Sequence, residues 1–493
     1  MVFSSVIFVF LFLPAVIFLY FLIPKKFLGV RNVILLLFSL AFYFYGEPKY
    51  IFLMVFSIMC DYIFGCYVSK YVEAGNKKIA RRFVMASVII NLVILGFFKY
   101  YDFFAVNLSL IPGLAFLKPL KLSLPIGISF YTFQTMSYTI DIYRGDAKMQ
   151  KNITSFGAYV AMFPQLVAGP IVRYGTIANE LTSRKVTAED FSEGAIRFIY
   201  GLAKKLIIAN AMGKIADDIF SLSGSQLTGK IAWLGAIAYS FQIFFDFSGY
   251  SDMAIGLGRI FGFRFLENFN FPYICKTITD FWRRWHISLS TWFRDYVYIP
   301  LGGNRVSLLR NLFNIFIVWL LTGFWHGAAW NFIVWGLYFA VILIFEKTFL
   351  LKFLDKHKKN IVLKILSHIY ALVLVVVGWV IFRSEDLPYA LGFMGKMFSP
   401  ASLFAQSDFD NQVKYYLIEY LPEWILAVIF SIPVGGLLLK LKEKYTEKSK
   451  NNIKTATETA FYAVRLVYVF AVFGLSVVYL VSSSFNPFIY FRF

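Results

Sequence analysis

The sequence has 493 residues and a net charge of +20, from 48 lysines and arginines against 28 aspartates and glutamates, yet only 15% of its residues are charged. Its hydrophobic share of 59% exceeds the roughly 45–50% of soluble domains, and 20% of its residues are aromatic. These values exclude a soluble globule, a disordered chain and a disulfide scaffold, and they predict a polytopic membrane protein. The basic residues occur in short clusters between apolar runs, as membrane topology requires, so a nucleic-acid partner is not expected.

The first apolar run, residues 2–23, contains 22 uncharged residues. A helix of this length, at 1.5 Å per residue, crosses a hydrocarbon core of ~30 Å. Positive residues follow the run instead of preceding it, which excludes a cleavable signal and predicts an external N-terminus by the positive-inside rule. They are Lys25, Lys26 and Arg31. The nearly neutral loop at Glu47 is then expected outside, and the basic loop at residues 70–82 is expected in the cytoplasm.

The middle of the chain divides less cleanly into spans. Residues 311–345 form a stretch of 35 residues without a formal charge, ~52 Å if helical, which exceeds one crossing and must bend. Gly323 and Gly327 are the expected break, because glycine tolerates the required backbone angles. Two further segments, residues 124–143 and 231–263, are interrupted by proline and glycine or by charges. We expect them to line cavities or to pack within protein, since lipid cannot satisfy freed backbone groups.

The C-terminal part repeats the same charge pattern. Residues 384–423 carry six acids and two lysines, so this stretch is expected outside, whereas the basic residues 352–364 and 440–454 are expected in the cytoplasm. A last apolar run, residues 460–481, places the tail outside, so both termini are predicted to be extracytoplasmic. The whole chain, residues 1–493, is predicted to be one integral-membrane domain of roughly 11 to 13 transmembrane and re-entrant helices.

His326 lies in the segment LTGFWHGAAWN, within the longest uncharged stretch. A polar group is costly there unless it is paired or used. A neutral imidazole in this position can accept the proton of a hydroxyl group. The structural alternative is a helix-packing histidine bonded to Thr322, four residues earlier. The sequence position alone leaves both interpretations open.

His286 lies in the segment FWRRWHISLSTWFRD, where helical spacing places five residues on one face. These are Trp282, Trp285, His286, Leu289 and Phe293. The pattern predicts an in-plane interfacial helix more than a span. Arginines on the other faces either bind phosphates through bidentate hydrogen bonds or anchor the segment at the cytoplasmic headgroups. These arginines are Arg283, Arg284 and Arg294.

Asp246 and Asp252 are acids inside an apolar run, so each must be paired, protonated or facing water. Because they are six residues apart, they project from different faces of a helix. A proton relay and a structural bond to an arginine such as Arg259 are equally compatible with them. The three cysteines have no metal-ligand spacing, and no metal site is expected.

Several of these segments together resemble the membrane-bound O-acyltransferase (MBOAT) family. Within that family they are most similar to the bacterial branch of alginate, peptidoglycan and exopolysaccharide O-acetyltransferase membrane subunits. The resemblance runs through nearly the whole chain, in long blocks that keep their order. The blocks are LPIGISFYTFQTMSY (124–138), MFPQLVAGPIVR (162–173), FDFSGYSDMAIG (245–256), DFWRRWHISLSTWFRDYVYIPLGGNR (280–305), TGFWHGAAW (322–330) and PFIYFRF (487–493).

The resemblance implies a fold of helices around a central tunnel, with acyl transfer through that tunnel. It implies that the histidine of the TGFWHG block, His326, is catalytic and that the histidine of the WRRWH block, His286, is the second functional residue. It also implies an acyl thioester donor in the cytoplasm, for which we expect acetyl-CoA as a co-substrate and no bound cofactor. The arginines near His286 then become candidates for binding the phosphates of the donor.

The resemblance further implies a hydroxyl acceptor outside a bacterial plasma membrane. The expected acceptor is a cell-surface polysaccharide, reached through an extracytoplasmic SGNH hydrolase-like partner. One alternative is a D-alanyl transferase of teichoic-acid modification, which takes its acyl group from a carrier protein. An alternative of another class is a transporter or export channel for polysaccharide or lipid, which predicts internal repeats. No convincing repeat is present in the sequence.

Overall fold

The computed structural model of the chain describes residues 1–167, 169–224, 226–437, 440, 451–482 and 485–487. Every regular element within these residues is helical, which confirms the all-α prediction. Most of the basic stretch predicted at residues 440–454, and the tail block beyond residue 487, lie outside the described residues.

Eight helices in the described part of the chain are long and apolar enough to cross a membrane. They are Leu28–Gly46, Ile51–Glu73, Lys77–Leu108, Gly229–Ile260, Leu308–His326, Trp330–Lys356, Ile361–Arg383 and Thr459–Ser482. Two shorter apolar helices are Phe8–Leu22 and Leu421–Phe430. The first apolar run, predicted to span from residue 2, is therefore a shorter helix than expected.

The helices follow one another in chain order with short connections. The first eight are α1 (Leu13–Leu22, after a π-helical turn at Phe8–Phe12), α2 (Leu28–Gly46), α3 (Ile51–Glu73), α4 (Lys77–Leu108), α5 (Ile128–Arg144), α6 (Ile153–Ala161), α7 (Phe163–Leu166) and α8 (Tyr174–Thr182). The next five are α9 (Ala188–Ala203, continued by a π-helical turn at Lys204–Ala209), α10 (Asn210–Phe220), α11 (Gly229–Ile260), α12 (Ile278–Arg284) and α13 (Ile287–Phe293).

The remaining helices form the C-terminal part of the chain. They are α14 (Leu308–His326), α15 (Trp330–Phe345, continued by a π-helical turn at Glu346–Leu350), α16 (Leu351–Lys356), α17 (Ile361–Arg383), α18 (Leu387–Phe398), α19 (Pro400–Leu403), α20 (Asp410–Glu419), α21 (Leu421–Phe430) and α22 (Asn451–Ser482). A π-helical turn at Arg294–Tyr298 follows α13, and a 3-10 turn at Pro272–Ile274 precedes α12.

The long uncharged stretch at residues 311–345 bends, as predicted. Helix α14 ends at His326, Gly327 is the residue after its last turn, and α15 begins at Trp330. Gly323 has a different role, because a Cβ there would lie 2.5 Å from the carbonyl oxygen of Phe332. It lets α14 and α15 pack closely just below the break, as small residues do between membrane helices.

Helix α11 is continuous from Gly229 to Ile260, so the expectation that this segment is interrupted is wrong. Most of its length is buried inside the protein, which was the other part of the prediction. Helix α9 approaches it closely, because a Cβ on Gly201 would lie 2.5 Å from the carbonyl oxygen of Gly249. The charges of α11 are satisfied within this contact, so an unbroken helix can carry them away from lipid.

Helix α5 begins at Ile128, directly after Gly127, which has a positive φ of 73°. A Cβ at Gly127 would lie 2.4 Å from the carbonyl oxygen of Leu166, so this turn requires glycine. The helix itself is buried almost throughout. The segment at residues 124–143 therefore packs within the protein, as predicted.

Candidate functional site

His326 is the last residue of α14, where four backbone carbonyls of a helix have no partner within the helix. Two side chains of α4 supply donors. The ammonium of Lys99 donates to the carbonyl oxygens of Trp325 and His326, the latter at 3.2 Å, and the hydroxyl of Tyr100 donates to that of Phe324. A cation at the negative end of a helix is favourable. The backbone that carries His326 is thus held by α4.

The imidazole of His326 sits among three aromatic rings. Its ring centroid lies 4.9 Å from those of Trp325 and Trp335 and 5.2 Å from that of Phe382, each at a near-perpendicular angle. The hydroxyl of Thr322 donates to the carbonyl oxygen of Val318 at 2.7 Å. The hydrogen bond between Thr322 and His326 that a purely structural histidine was expected to make is not formed, so the ring is left for other partners.

Two cavities meet at His326. The first, the arginine cavity, has a volume of about 380 Å³ and also contacts Arg283, His286 and Arg294. The second, the Glu47 cavity, has a volume of about 320 Å³ and extends past Lys99 and Ser123 to Glu47. Both volumes fall within the range of small-molecule sites. The imidazole is therefore accessible from two different directions.

The segment around His286 differs from its prediction. It was expected to be one interfacial helix, but α12 ends at Arg284, α13 begins at Ile287, and His286 between them has a left-handed φ of 46°. The break is stabilised by residues 268–270, which run beside it. The amide of Ile287 donates to the carbonyl of Asn268 at 2.9 Å, and the amide of Asn270 donates to that of Arg284 at 2.9 Å.

Because of this break, the five residues expected on one face do not share one, and His286 is buried rather than interfacial. Its side chain is 1% exposed, and its Nδ1 lies 3.2 Å from Oδ1 of Asn268. Burial away from water lowers the pKa of His286 to about 3, so the ring is neutral. Its ring lies 5.9 Å from that of Trp325, which also contacts His326. The two histidines thus share one cavity and one aromatic neighbour.

The structure separates the three arginines into two groups. Arg283 and Arg294 line the arginine cavity, and within the described residues the guanidinium of Arg283 makes no hydrogen bond or ion pair. Arg284 lies elsewhere, since it donates to Asp280 at 2.9 Å and to the carbonyl of Asn270 at 3.3 Å. Only two of the three arginines are thus positioned to meet a ligand in this cavity.

Arg294 is already paired with Asp295, at 2.7 Å, and Asp295 also binds Arg173. Burial raises the pKa of Asp295, but hydrogen bonds and charges from Arg294 and Arg173 outweigh it and hold that pKa below its usual value. The two arginines and one aspartate together carry one net positive charge. Arg294 therefore contributes a weaker positive field to the cavity than Arg283.

Asp246 and Asp252 line neither of the two cavities. Asp246 binds Lys205 at 2.7 Å, and both side chains are almost fully buried, at 2% and 4% exposed. Asp252 binds Lys204 at 2.6 Å and Arg197 at 2.8 Å. The arginine suggested as a partner, Arg259, binds Asp190 instead. These contacts favour the structural interpretation and correct the partner.

Three residues that sequence reasoning missed support this site. Lys99 is a single lysine in a long apolar run, and the cost of such a charge in a membrane was a usable signal. Lys347 lines the arginine cavity and donates to Asn311. Glu346, fully buried, accepts the amides of Ile278 and Thr279 at 2.6 and 2.7 Å and thereby holds the start of α12. No short-range pattern predicts the last contact.

Comparison with known proteins gives matches over the full length of the chain. A probable alginate O-acetylase from Azotobacter vinelandii is 40% identical over 100% of both chains. A peptidoglycan O-acetyltransferase from Helicobacter pylori is 33% identical over 100% of this chain and 98% of its own. A teichoic acid D-alanyltransferase from Bacillus subtilis is 32% identical over 45% of this chain and 60% of its own. A sequence profile of the membrane-bound O-acyltransferase family matches residues 146–357.

Proposed function

The chain belongs to the membrane-bound O-acyltransferase family, and on that premise we propose that it carries an acetyl group from a cytoplasmic thioester to a hydroxyl group outside the membrane, for O-acetylation of a cell-surface polysaccharide. The chain is an O-acetyltransferase of the bacterial branch of this family. The donor, the partner and the roles of individual residues are the proposed part.

The observation that carries the proposal is the position of His326 between two cavities. A transfer across a membrane needs one reacting group that both substrates can reach from opposite sides. The arginine cavity lies next to segments that the positive-inside rule assigns to the cytoplasm, and the Glu47 cavity includes a loop that it assigns to the outside. We therefore assign the donor to the arginine cavity and the acceptor to the Glu47 cavity.

In the proposed reaction His326 acts as the general base. It removes the proton of the acceptor hydroxyl as the oxygen attacks the thioester carbonyl, a step typically worth about 10²- to 10⁴-fold in rate. The new C–O bond forms, the C–S bond breaks, and the proton held by His326 passes to the leaving thiolate. Holding both substrates in the narrow passage supplies a further part of the rate enhancement.

The donor is proposed to be acetyl-CoA. Its phosphates are anionic, and the arginine cavity offers the unpaired guanidinium of Arg283, the partly neutralised Arg294 and the ammonium of Lys347. Guanidinium groups bind phosphate through paired, charge-assisted hydrogen bonds. The donor would enter with its thioester toward His286 and His326.

On the outer side, the acetyl group is proposed to pass first to an SGNH hydrolase-like partner, which then modifies the polysaccharide. The named substrates of the relatives, alginate and peptidoglycan, support a glycan as the final acceptor. The candidate docking surface is the stretch at residues 384–423 with the C-terminal tail. The enzyme is proposed to lie in the bacterial plasma membrane with both termini outside. Impermeant labelling of single cysteines at positions 2 and 491 in intact cells tests that orientation, and protection of both positions contradicts it.

The alternative of D-alanyl transfer from a carrier protein is less well supported, because the D-alanyltransferase relative covers only 45% of the chain. Binding of an acyl carrier protein to the purified enzyme would reverse this preference. A transporter or export channel predicts transport of polysaccharide or lipid through vesicles without acyl transfer.

The direct test uses purified protein in proteoliposomes with acetyl-CoA labelled in its acetyl group. We expect release of free thiol and appearance of label on the added SGNH-type partner or on glycan, and neither product in vesicles without the protein. Label transfer at full rate to glycan without any partner contradicts the relay. Absence of thiol release with acetyl-CoA, together with activity on an acylated carrier protein, contradicts the proposed donor.

A further inference from the structure

We propose that Asn268 is a positioning residue that holds His286 in the tautomer with the proton on Nδ1, so that Nε2 faces the substrate as a hydrogen-bond acceptor. The tautomer follows from contacts within the protein. Its consequence for the reaction rests on the proposed function.

The orientation of the Asn268 amide is fixed by its neighbours. The backbone amide of Ser288, which can only donate, lies 3.2 Å from Oδ1 of Asn268, so this atom must be the oxygen. The Ser288 hydroxyl accepts the amide of Ile171 at 3.0 Å and donates its own proton to the same oxygen at 2.9 Å. On the other side, Nδ2 of Asn268 donates to the hydroxyl of Ser251 at 3.0 Å.

The amide orientation decides the tautomer of His286. Because Oδ1 of Asn268 accepts only, Nδ1 of His286, 3.2 Å away, must carry a proton. A neutral imidazole has one such proton, so Nε2 is left with a lone pair. Nε2 is buried and has no hydrogen-bond partner among the described residues, although His286 lines the arginine cavity. The partner for Nε2 is therefore expected to be substrate.

The charges around His286 also favour the neutral ring. The groups that share its cavity, Arg283, Arg294, Lys347 and His326, are cationic or neutral. On the side of α11 and the 268–270 segment, two acids lie next to the residues that hold the ring. These acids, Asp252 and Glu267, are both bound by Arg197, with Lys204 as a second partner of Asp252. No free acid in the described residues is in place to stabilise an imidazolium.

This assignment narrows the role of His286. A lone pair on Nε2 cannot donate a hydrogen bond to the thioester carbonyl, so in its resting form His286 does not polarise that carbonyl. Nε2 instead accepts a hydrogen bond from an N–H, O–H or S–H group of the substrate. His326 and His286 then differ in function. His326 takes a proton during transfer, and His286 binds a substrate hydrogen-bond donor.

The tautomer can be read without any enzymatic reaction. The chain has only four histidines, so full-length protein labelled with ¹⁵N at histidine alone gives few imidazole signals in solid-state NMR. The signals of His286 are those lost in His286→Gln. We expect a protonated Nδ1 and an unprotonated Nε2 across the pH range in which the enzyme works. A protonated Nε2, or an imidazolium, overturns the proposal, and neither outcome depends on which acyl group the enzyme transfers.

The functional consequence is tested with Asn268→Asp. A carboxylate beside Nδ1 stabilises the imidazolium, so it raises the pKa of His286 and removes the Nε2 lone pair at low pH. We expect the acid limb of the kcat profile to move to higher pH, by about tenfold in activity per pH unit of displacement. The matched control is Asn32→Asp. Asn32 is equally buried, at 1% exposed, but its amide contacts Ser155 and Leu181. An unmoved profile in Asn268→Asp, or the same shift in Asn32→Asp, overturns the proposed role.

Discussion

Replacing Arg283 by glutamine should weaken donor binding more than the same change at either neighbouring arginine. Arg283 is exposed in the arginine cavity and has no ion pair among the described residues, so all of its hydrogen-bonding capacity is available to a phosphate. A hydrogen bond to a charged group contributes about 1.5–3 kcal/mol. The lower end applies to a solvent-exposed side chain, and it corresponds to an increase of roughly tenfold in the KM for acetyl-CoA.

The other two arginines give graded controls within one short segment. Arg294 shares its charge with Asp295, so we expect Arg294→Gln to raise the KM by only about threefold. Arg284 binds Asp280 and the Asn270 carbonyl outside the cavity, so Arg284→Gln should change the KM by less than about twofold. All three should leave kcat nearly unchanged, because the lost interaction is the same in the ground and transition states.

The assay is thiol release from acetyl-CoA in proteoliposomes at several salt concentrations. Salt screens the exposed charge, so the difference in KM between the wild type and Arg283→Gln should shrink as ionic strength rises. Equal KM values for Arg283→Gln and Arg284→Gln would refute the reasoning, and would return Arg283 to the role of a headgroup anchor.

Three further changes test the supports of the site. Lys99→Met removes the cation from the end of α14 and should lower kcat about tenfold with little change in KM, whereas Lys99→Arg should retain most of the activity. Asp246→Asn leaves Lys205 buried without its counter-charge and should lower the free energy of unfolding by about 3–5 kcal/mol, and a double Asp246→Leu, Lys205→Met variant should recover most of it in thermal unfolding. The pKa of Asp295 is lowered in the folded protein, so its stabilisation is present above its unfolded pKa of about 3.9 and is lost as the pH falls through the folded pKa. Asp295→Asn should therefore lower the Tm at neutral pH, and the difference should vanish in acid.

The features of this protein that depend on nearby residues could be predicted from its sequence. The bend after His326 follows from an uncharged stretch too long for one crossing, with Gly327 next to the histidine. The external and cytoplasmic loops follow from charge counting. His326 and His286 stand out because a polar residue in an apolar segment requires an explanation. Each of these inferences needs only a window of about 40 residues.

The features that failed depend on residues far away in the chain. The break at His286 is held by Asn268, which hydrophobic periodicity cannot reveal, because α12 and α13 together still have a helical pattern. Lys99 lies more than 200 residues from the helix end it stabilises. Asp252 finds its cations on α9 and not on its own helix. In each case helix packing selected the partner among several residues of suitable type.

The central claim is that His326 accepts the proton of the acceptor hydroxyl, and His326→Gln tests it most directly. An amide forms hydrogen bonds and has a similar size, but it cannot take up the proton. In a single-turnover acetyl-transfer assay, with donor binding measured separately, we expect His326→Gln to bind acetyl-CoA like the wild type and to transfer no acetyl group. His326→Ala should behave in the same way. A His326→Gln enzyme that transfers the acetyl group at an appreciable rate would contradict the account.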